Sequence, residues 1–224
     1  MILDIFTESH GLLSFIMNGV FKKSDQRLAS ILSTGNLIHL VAYYSEHKTL
    51  HRLKEVQFSF IYQNIRQDMI KSAMMIFMTE LSAKSIKDHQ INADLFQYLY
   101  RCYILLDNLN PLDPDFHLKF MLGMSRFLGF YPSEKTHHEE KYFDLLNGVF
   151  VFSENQNHHL VNEQDSALLD QFISGKSIQN NSSRNHFTLD QRKRLLDILI
   201  RYYSVHVEHF IGLQSPAVYK SIFG

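Results

Sequence analysis

The spacing of apolar and polar positions changes character close to residue 62. Before it, apolar residues come in short runs and alternations of the strand period. Ile2–Thr7 is apolar-rich with Gly11 at a turn, and residues 12–20 continue as a second strand. Gly35 opens an unbroken apolar run over residues 37–44. Residues 50–60 end in an alternation of Val56, Phe58 and Phe60 against Gln57 and Ser59. Residues 21–27, Phe-Lys-Lys-Ser-Asp-Gln-Arg, read as a polar basic loop between the second and third strands. Four strands with long connections predict a small curled barrel, one strand fewer than such a barrel normally has.

From Gln63 the period becomes helical. Residues 68–86 place Met69, Ile70, Ala73, Met74, Phe77 and Leu81 on one stripe, and Met69, Met74, Met75 and Met78 read as core. Asn92 caps a helix over residues 93–109, and Asp113-Pro114 opens another to Leu128 with proline in its first turn. Gly129 can take the left-handed conformation that ends that helix, and Pro132 cannot continue it. Residues 142–144 and 149–152 then read as two short strands about an Asn147-Gly148 turn. Asn162 with Asp165 starts a helix that stops at Gly175, and residues 177–185 form a polar Asn/Ser-rich loop. Thr188 with Gln191 is a capping box for a helix carrying Leu195, Leu196, Leu199, Tyr202, Tyr203 and His206 on one side. Ser215-Pro216 begins a last short helix. The fold class is α+β, with a β module over residues 1–62, a helical domain over residues 63–224 and a hairpin at about 142–152.

Composition narrows the function. Of 224 residues, 45% are hydrophobic and 20% charged, as in ordinary globular proteins. No apolar run approaches the length of a membrane span, and the first residues do not read as a signal peptide. A single cysteine rules out an internal disulfide and fits the reducing cytoplasm. The net charge of −1 gives no global pull toward nucleic acid, but its distribution is uneven. Residues 131–165 are strongly acidic and would repel phosphates, whereas residues 166–224 are net basic. No phosphate loop, nucleophile elbow or His-Glu-x-x-His helix is present. Cys102 lies in an apolar helix and reads as a small hydrophobe rather than a nucleophile. The chain is therefore not expected to be an enzyme, and no cofactor is implied.

Four segments taken together resemble the RecO family of bacterial recombination mediators, in its Bacteroidetes-like form. They are residues 5–20, residues 50–56 (Leu-His-Arg-Leu-Lys-Glu-Val), residues 128–150 with Gly129-Phe130-Tyr131-Pro132, and residues 195–210 with Tyr202-Tyr203-x-x-His206. The resemblance implies an N-terminal OB-fold joined to a helical domain, here lacking the opening strand of the barrel. It also implies a nucleoid-associated protein that binds single- and double-stranded DNA and anneals complementary strands. The implied partners are RecR, the C-terminal tail of single-strand-binding protein and, indirectly, RecA. A helical interaction scaffold with weak or lost DNA binding is the alternative. Many relatives hold zinc with four cysteines in the region matching residues 132–159; this chain has none there, so that site is not carried over.

The DNA-binding candidates follow from charge. Lys22, Lys23 and Arg27 match the family's basic loop and would contact phosphates; a solvated loop is the plain reading. Arg52 and Lys54, two apart on a strand, share one face, with Tyr43, Tyr44 and Phe58 as stacking partners for bases unless they are core. Arg194 and Arg201 share one face of the last long helix, beside Arg192 and Lys193; they would extend a DNA surface or receive an acidic peptide, or simply face water. The pairs His137-His138 and His158-His159 invite a metal, but adjacent histidines point apart and surface loops explain them more simply.

Overall fold

The computed structural model describes residues 1–17, 26–87, 90–152, 159–175 and 187–215. It divides into two compact units, Met1–Pro111 with the segment from Ser215, and Leu112–Gln214.

The first unit begins with strands β1 (Ile2–Thr7) and β2 (Gly11–Ile16), followed by helix α1 (Gln26–Ile31). Strands β3 (Ile38–Tyr43) and β4 (Leu50–Phe58) come next, then helices α2 (Met69–Ser85) and α3 (Ala93–Asn108). The sheet order is β1-β2-β4-β3, with β2 and β4 parallel and the other pairs antiparallel. β1 and β3 are its edges, so the sheet is curled but open. Leu13, Phe15 and Leu53 bury its inner face, joined by Leu32 just past α1 and flanked by Leu3, Ile5, Leu28 and Leu40.

One expectation is corrected here. Arg27 does not lie in a loop: Leu28, Ile31 and Leu32 have helical spacing and bury one side of α1, leaving Arg27 on its exposed side. β2 spans Gly11–Ile16, and residues 18–20 of the expected strand lie outside the described residues. Lys22 and Lys23 lie outside the described residues, as do the 177–185 loop and the helix expected from Pro216.

A bulge breaks the β3–β4 ladder. Val41 pairs with Glu55 and Ala42 with Leu53, which leaves Lys54 as an extra residue. The bulge reverses the inside–outside parity of β4. Its exposed residues are Leu50, Arg52 and Lys54 on one side, then Glu55 and Gln57 on the other.

A single carboxylate ties the segment after β4 to the helices. Asp107, near the end of α3, is fully buried and accepts from the backbone N–H groups of Gln63 (3.0 Å), Asn64 (2.9 Å) and Ile65 (2.9 Å). Lys71 of α2, itself buried, donates to the Asp107 carbonyl oxygen at 2.8 Å. Burial opposes ionisation of Asp107, but the three N–H donors and the Lys71 ammonium outweigh it and hold the carboxyl below the usual range. α2 and α3 start where expected, with Asp68 and Asn92 capping their first turns. The Met stripe needs correction at one end: Met74 and Met78 are buried, whereas Met69 is 73% exposed. The buried neighbour on that turn is Lys71, because only its ammonium can reach the Asp107 carbonyl.

The second unit contains α4 (Phe116–Phe127), the short strands β5 (Tyr142–Asp144), β6 (Val149–Val151) and β7 (Leu160–Val161), and helices α5 (Glu163–Ile173) and α6 (Leu189–His206). The hairpin forms where its sequence predicts, but through a four-residue turn over 145–148 rather than a two-residue one, so Phe143 pairs with Phe150 instead of Phe152. Asp144 shapes that turn by accepting from Leu146 N and Asn147 Nδ2. β7, which pairs with β5, is too short to read from sequence. α4 starts two residues later than expected. Asp113 accepts from Asp115 N and from Lys119 Nζ instead of capping the helix, and Asp115 takes the N-cap position. Asn162 caps α5, and the Thr188–Gln191 capping box opens α6.

His117, in the first turn of α4, is buried, and burial with the nearby Arg192 guanidinium pushes its imidazole down to about 3 from the ordinary 6.5. The folded chain therefore resists a proton that the unfolded chain accepts. This part of the stability is complete above pH 6.5 and is lost progressively as the pH falls toward 3. Urea unfolding across that window is expected to lose up to about 1.4 kcal/mol per pH unit from this residue. His117→Gln should flatten that part of the slope. At the other hub, Asp107→Ala strands three N–H donors, the one of Ile65 buried and those of Gln63 and Asn64 partly so, and should cost about 2–4 kcal/mol in the same assay at neutral pH. Asp107→Asn should recover part of that loss, because one carbonyl acceptor remains.

Candidate nucleic-acid interface

The outward face of the sheet brings Arg52 and Tyr43 together. Register places Ile2 beside Ile16, Ile16 beside Arg52, and Arg52 beside Tyr43, so one row crosses all four strands. Tyr43 is 64% exposed, and Val41, two residues earlier on β3, is also exposed. Among the described residues Arg52 makes no ion pair, so its charge faces water next to an open aromatic ring. That combination suits a phosphate followed by a base.

The other candidates differ from one another. Lys54 shares the outward face with Arg52, but the bulge sets Glu55 beside it, 3.2 Å from Nζ to Oε1. Both partners are largely exposed, so the pair contributes little to stability and lowers the local positive charge. Tyr44 turns to the inner side, where its ring stacks on His51 at 4.9 Å. Phe58 is half-buried with the Arg66 guanidinium over its face at 5.9 Å. Arg66 itself was missed in the sequence, where nothing marks it as reaching back to the strand that precedes it.

On α6, Arg194 is held at 2.6 Å by Asp165 and lies 4.0 Å from Asp190. Arg192 donates to the Phe187 carbonyl and approaches Asp115 at 3.8 Å, so it fastens α6 to neighbouring backbone. Arg201 is exposed and has no ion pair among the described residues. The Asp190–Arg194 spacing of four is visible in the sequence; the Asp165 partner, on another helix, is not. Cys102 is half-buried, and burial pushes its thiol up to about 11, which keeps it protonated at neutral pH.

His137 and His138 are exposed, and the His137 ring lies against Phe152 at 6.0 Å. The backbone carbonyl of His159 accepts from Leu145 N. His158 lies outside the described residues. Among the described residues, no group of three His, Cys, Asp or Glu side chains is placed to hold a metal ion.

The segments that carry the family resemblance in the second unit meet at one node. Tyr202 donates to the Phe130 carbonyl and Tyr203 to the Met121 carbonyl, both at 2.7 Å. His206 Nε2 lies 2.9 Å from the Leu145 carbonyl, and its ring stacks on Phe130 at 5.0 Å with planes 5° apart. Gly129 ends α4 at φ +86°, where Phe130 N bonds back to the Ser125 carbonyl. Gly148 closes the hairpin at φ +67°, and a β-carbon there would run into the Tyr202 hydroxyl. The signature is thus a packing device.

An open OB-fold-like sheet, with a helix between its second and third strands and a mostly helical remainder, defines an α+β protein. Residues 1–62 match the description of the recombination protein O N-terminal domain, and residues 66–215 that of its C-terminal domain. The chain belongs to this family of DNA repair proteins. It is 32% identical over 228 residues to the DNA repair protein RecO of Flavobacterium psychrophilum, a match covering all of this chain and 92% of that relative. The DNA repair proteins RecO of Azobacteroides pseudotrichonymphae and Bacteroides fragilis are each 30% identical over 228 residues, covering 99% of this chain and 91% of those relatives. No helix among the described residues is long and apolar enough to cross a membrane.

The node gives a stability test. Gly148→Ala forces a left-handed backbone and a clash, and should cost about 2–3 kcal/mol in urea unfolding. Tyr202→Phe removes the obstructing hydroxyl, so Gly148→Ala should cost clearly less in that background. Additive losses would show that the two residues do not meet.

Proposed function

We propose that this chain is a non-enzymatic recombination mediator of the bacterial nucleoid. It binds single- and double-stranded DNA, anneals complementary strands and helps RecR load RecA onto DNA coated by single-strand-binding protein. The observation that carries the DNA reading is the unpaired Arg52 beside exposed Tyr43 on an open sheet, in a chain of the recombination protein O family. Arg27, Lys54, Lys22 and Lys23 extend the cationic surface of the module over residues 1–62. Annealing requires no bond chemistry: cations that neutralise phosphates remove the repulsion between strands, and base pairing does the rest. The helical portion over residues 63–224 supplies grooves for RecR and for the acidic, apolar tail of single-strand-binding protein. Arg201 serves there as a free cation for DNA or for that tail, and Arg194 contributes what charge its ion pairs leave.

A second reading, a protein-interaction scaffold with little DNA binding, draws on two observations: Lys54 and Arg194 are answered by carboxylates within the chain, and the net charge is −1.

Titrating labelled oligonucleotides at several salt concentrations separates the two. Mediator activity predicts affinity that falls steeply with salt, and Arg52→Glu should weaken single- and double-stranded DNA alike by about tenfold. Lys22→Glu with Lys23→Glu should do the same, whereas Arg194→Ala should lower thermal stability more than DNA affinity. Affinity that does not change with salt would refute the mechanism, and binding to the acidic tail without binding to DNA would establish the scaffold.

A further inference from the structure

The outward face of the first unit's sheet carries an apolar surface around one cation. Tyr43 ends β3 with its ring 64% exposed, and Ile2, Val41 and Leu50 are exposed on the same face. Ile16 stands between Ile2 and Arg52 in the row that crosses the four strands. Single exposed apolar residues are ordinary, but a connected group of them marks a surface that meets a partner. Tyr43 neither packs on another ring nor makes a hydrogen bond among the described residues.

Carboxylates border this row on both sides. Asp4 is exposed two residues beyond Ile2 on β1, where it accepts from Ser14 at 2.6 Å. Glu55 is exposed opposite Val41, on the other side of the row. Both repel a phosphate, whereas Arg52 attracts one. A polyanion is thereby confined to the row of Arg52, with Tyr43 about 5 Å away on one side and Ile16 on the other. A polynucleotide alternates an anion with a flat ring, and Arg52 followed by Tyr43 is the matching order.

The two DNA forms differ in whether that ring is available. In a duplex the bases are stacked on one another and turned inward, so Arg52 meets phosphates while the phenol ring finds no base face. In a single strand a base can rotate free and lie flat on the ring, a contact that tolerates any base.

We propose that Tyr43 gives the sheet a preference for single-stranded DNA, while Arg52 serves both forms. One phosphate sits on Arg52, its base lies on Tyr43, and the next sugar passes over Ile16. The DNA strand therefore crosses the β-strands instead of running along them. The inference rests on the DNA-binding reading and deepens it, by dividing affinity and selectivity between two neighbouring residues.

The chain has no tryptophan, so Tyr43→Trp places a single fluorescent reporter at the site. A single-stranded oligonucleotide is expected to quench that fluorescence, and the matching duplex to leave it nearly unchanged. In salt titrations Tyr43→Ala should weaken single-strand affinity by about tenfold with the salt slope intact, and change duplex affinity by less than about twofold. Arg52→Ala should weaken both forms and lower the salt slope of each by about one. Tyr43→Phe should keep single-strand affinity, because the stacking ring remains. No loss with Tyr43→Ala, or equal losses on the two forms, would overturn the role of Tyr43 and leave the broader DNA reading standing. Quenching by an acidic apolar peptide but not by DNA would overturn it as well, and would give this face to a protein partner. If Tyr43→Ala does not fold, the Tyr43→Trp reporter decides: equal quenching by duplex and single strand overturns the proposal. Failure of the unaltered chain to bind any DNA overturns both readings.

Discussion

The second unit depends on side chains of α6 whose polar tips capture backbone carbonyls of neighbouring segments. Tyr202 and His206 reach the Phe130 and Leu145 carbonyls, which lie outside helices and strands, and Tyr203 reaches the Met121 carbonyl within α4. A buried carbonyl without a donor would cost more than most single contacts contribute, so these three bonds set where the turn after α4 and the hairpin can lie. Burial also pushes the Tyr202 phenol up to about 12 and raises that of Tyr203 well above its ordinary value, so both remain donors throughout the neutral range. The aromatic rings add area and orientation, but the hydroxyls give the arrangement its register. Gly148 then becomes obligatory, because the space its side chain would need is already taken.

The first unit solves the equivalent problem with charge. Residues 63–65 leave the sheet with three consecutive N–H groups pointing inward, and a single carboxylate answers all of them. The Lys71 ammonium, hydrogen-bonded to the Asp107 backbone carbonyl, places a favourable positive charge near that carboxylate. Positive charges on the surface are partly answered too, by Glu55 for Lys54 and by Asp165 for Arg194. Among the described residues, Arg52 and Arg201 keep guanidinium groups that no carboxylate answers.

Local features were legible in the chain and distant partnerships were not. Capping at Asp68, Asn92, Asn162 and Thr188, the left-handed stop at Gly129 and the existence of the hairpin, though not its register, all depend on residues close in sequence. α1 was misread because Lys22, Lys23 and Arg27 drew attention to charge, although Leu28, Ile31 and Leu32 carry the helical period. Asp113 was mistaken for a cap because Asp-Pro is a common opening; its carboxylate is occupied by Asp115 N and Lys119. For the site, the strand parity that puts Arg52 and Lys54 on one face was readable. The Arg52–Tyr43 adjacency and the Arg194–Asp165 pair each need a second element brought near by folding.

The extra residue at Lys54 has an evolutionary implication. On one side of it the even-numbered positions of β4 meet solvent, and on the other the odd-numbered ones do. Losing the codon for Lys54 would therefore leave an unbroken alternation, with His51, Leu53 and Val56 still inward and Arg52, Glu55 and Gln57 still outward. Descendants of this gene can shed the residue, and with it a local bend and one cation, without turning the strand over.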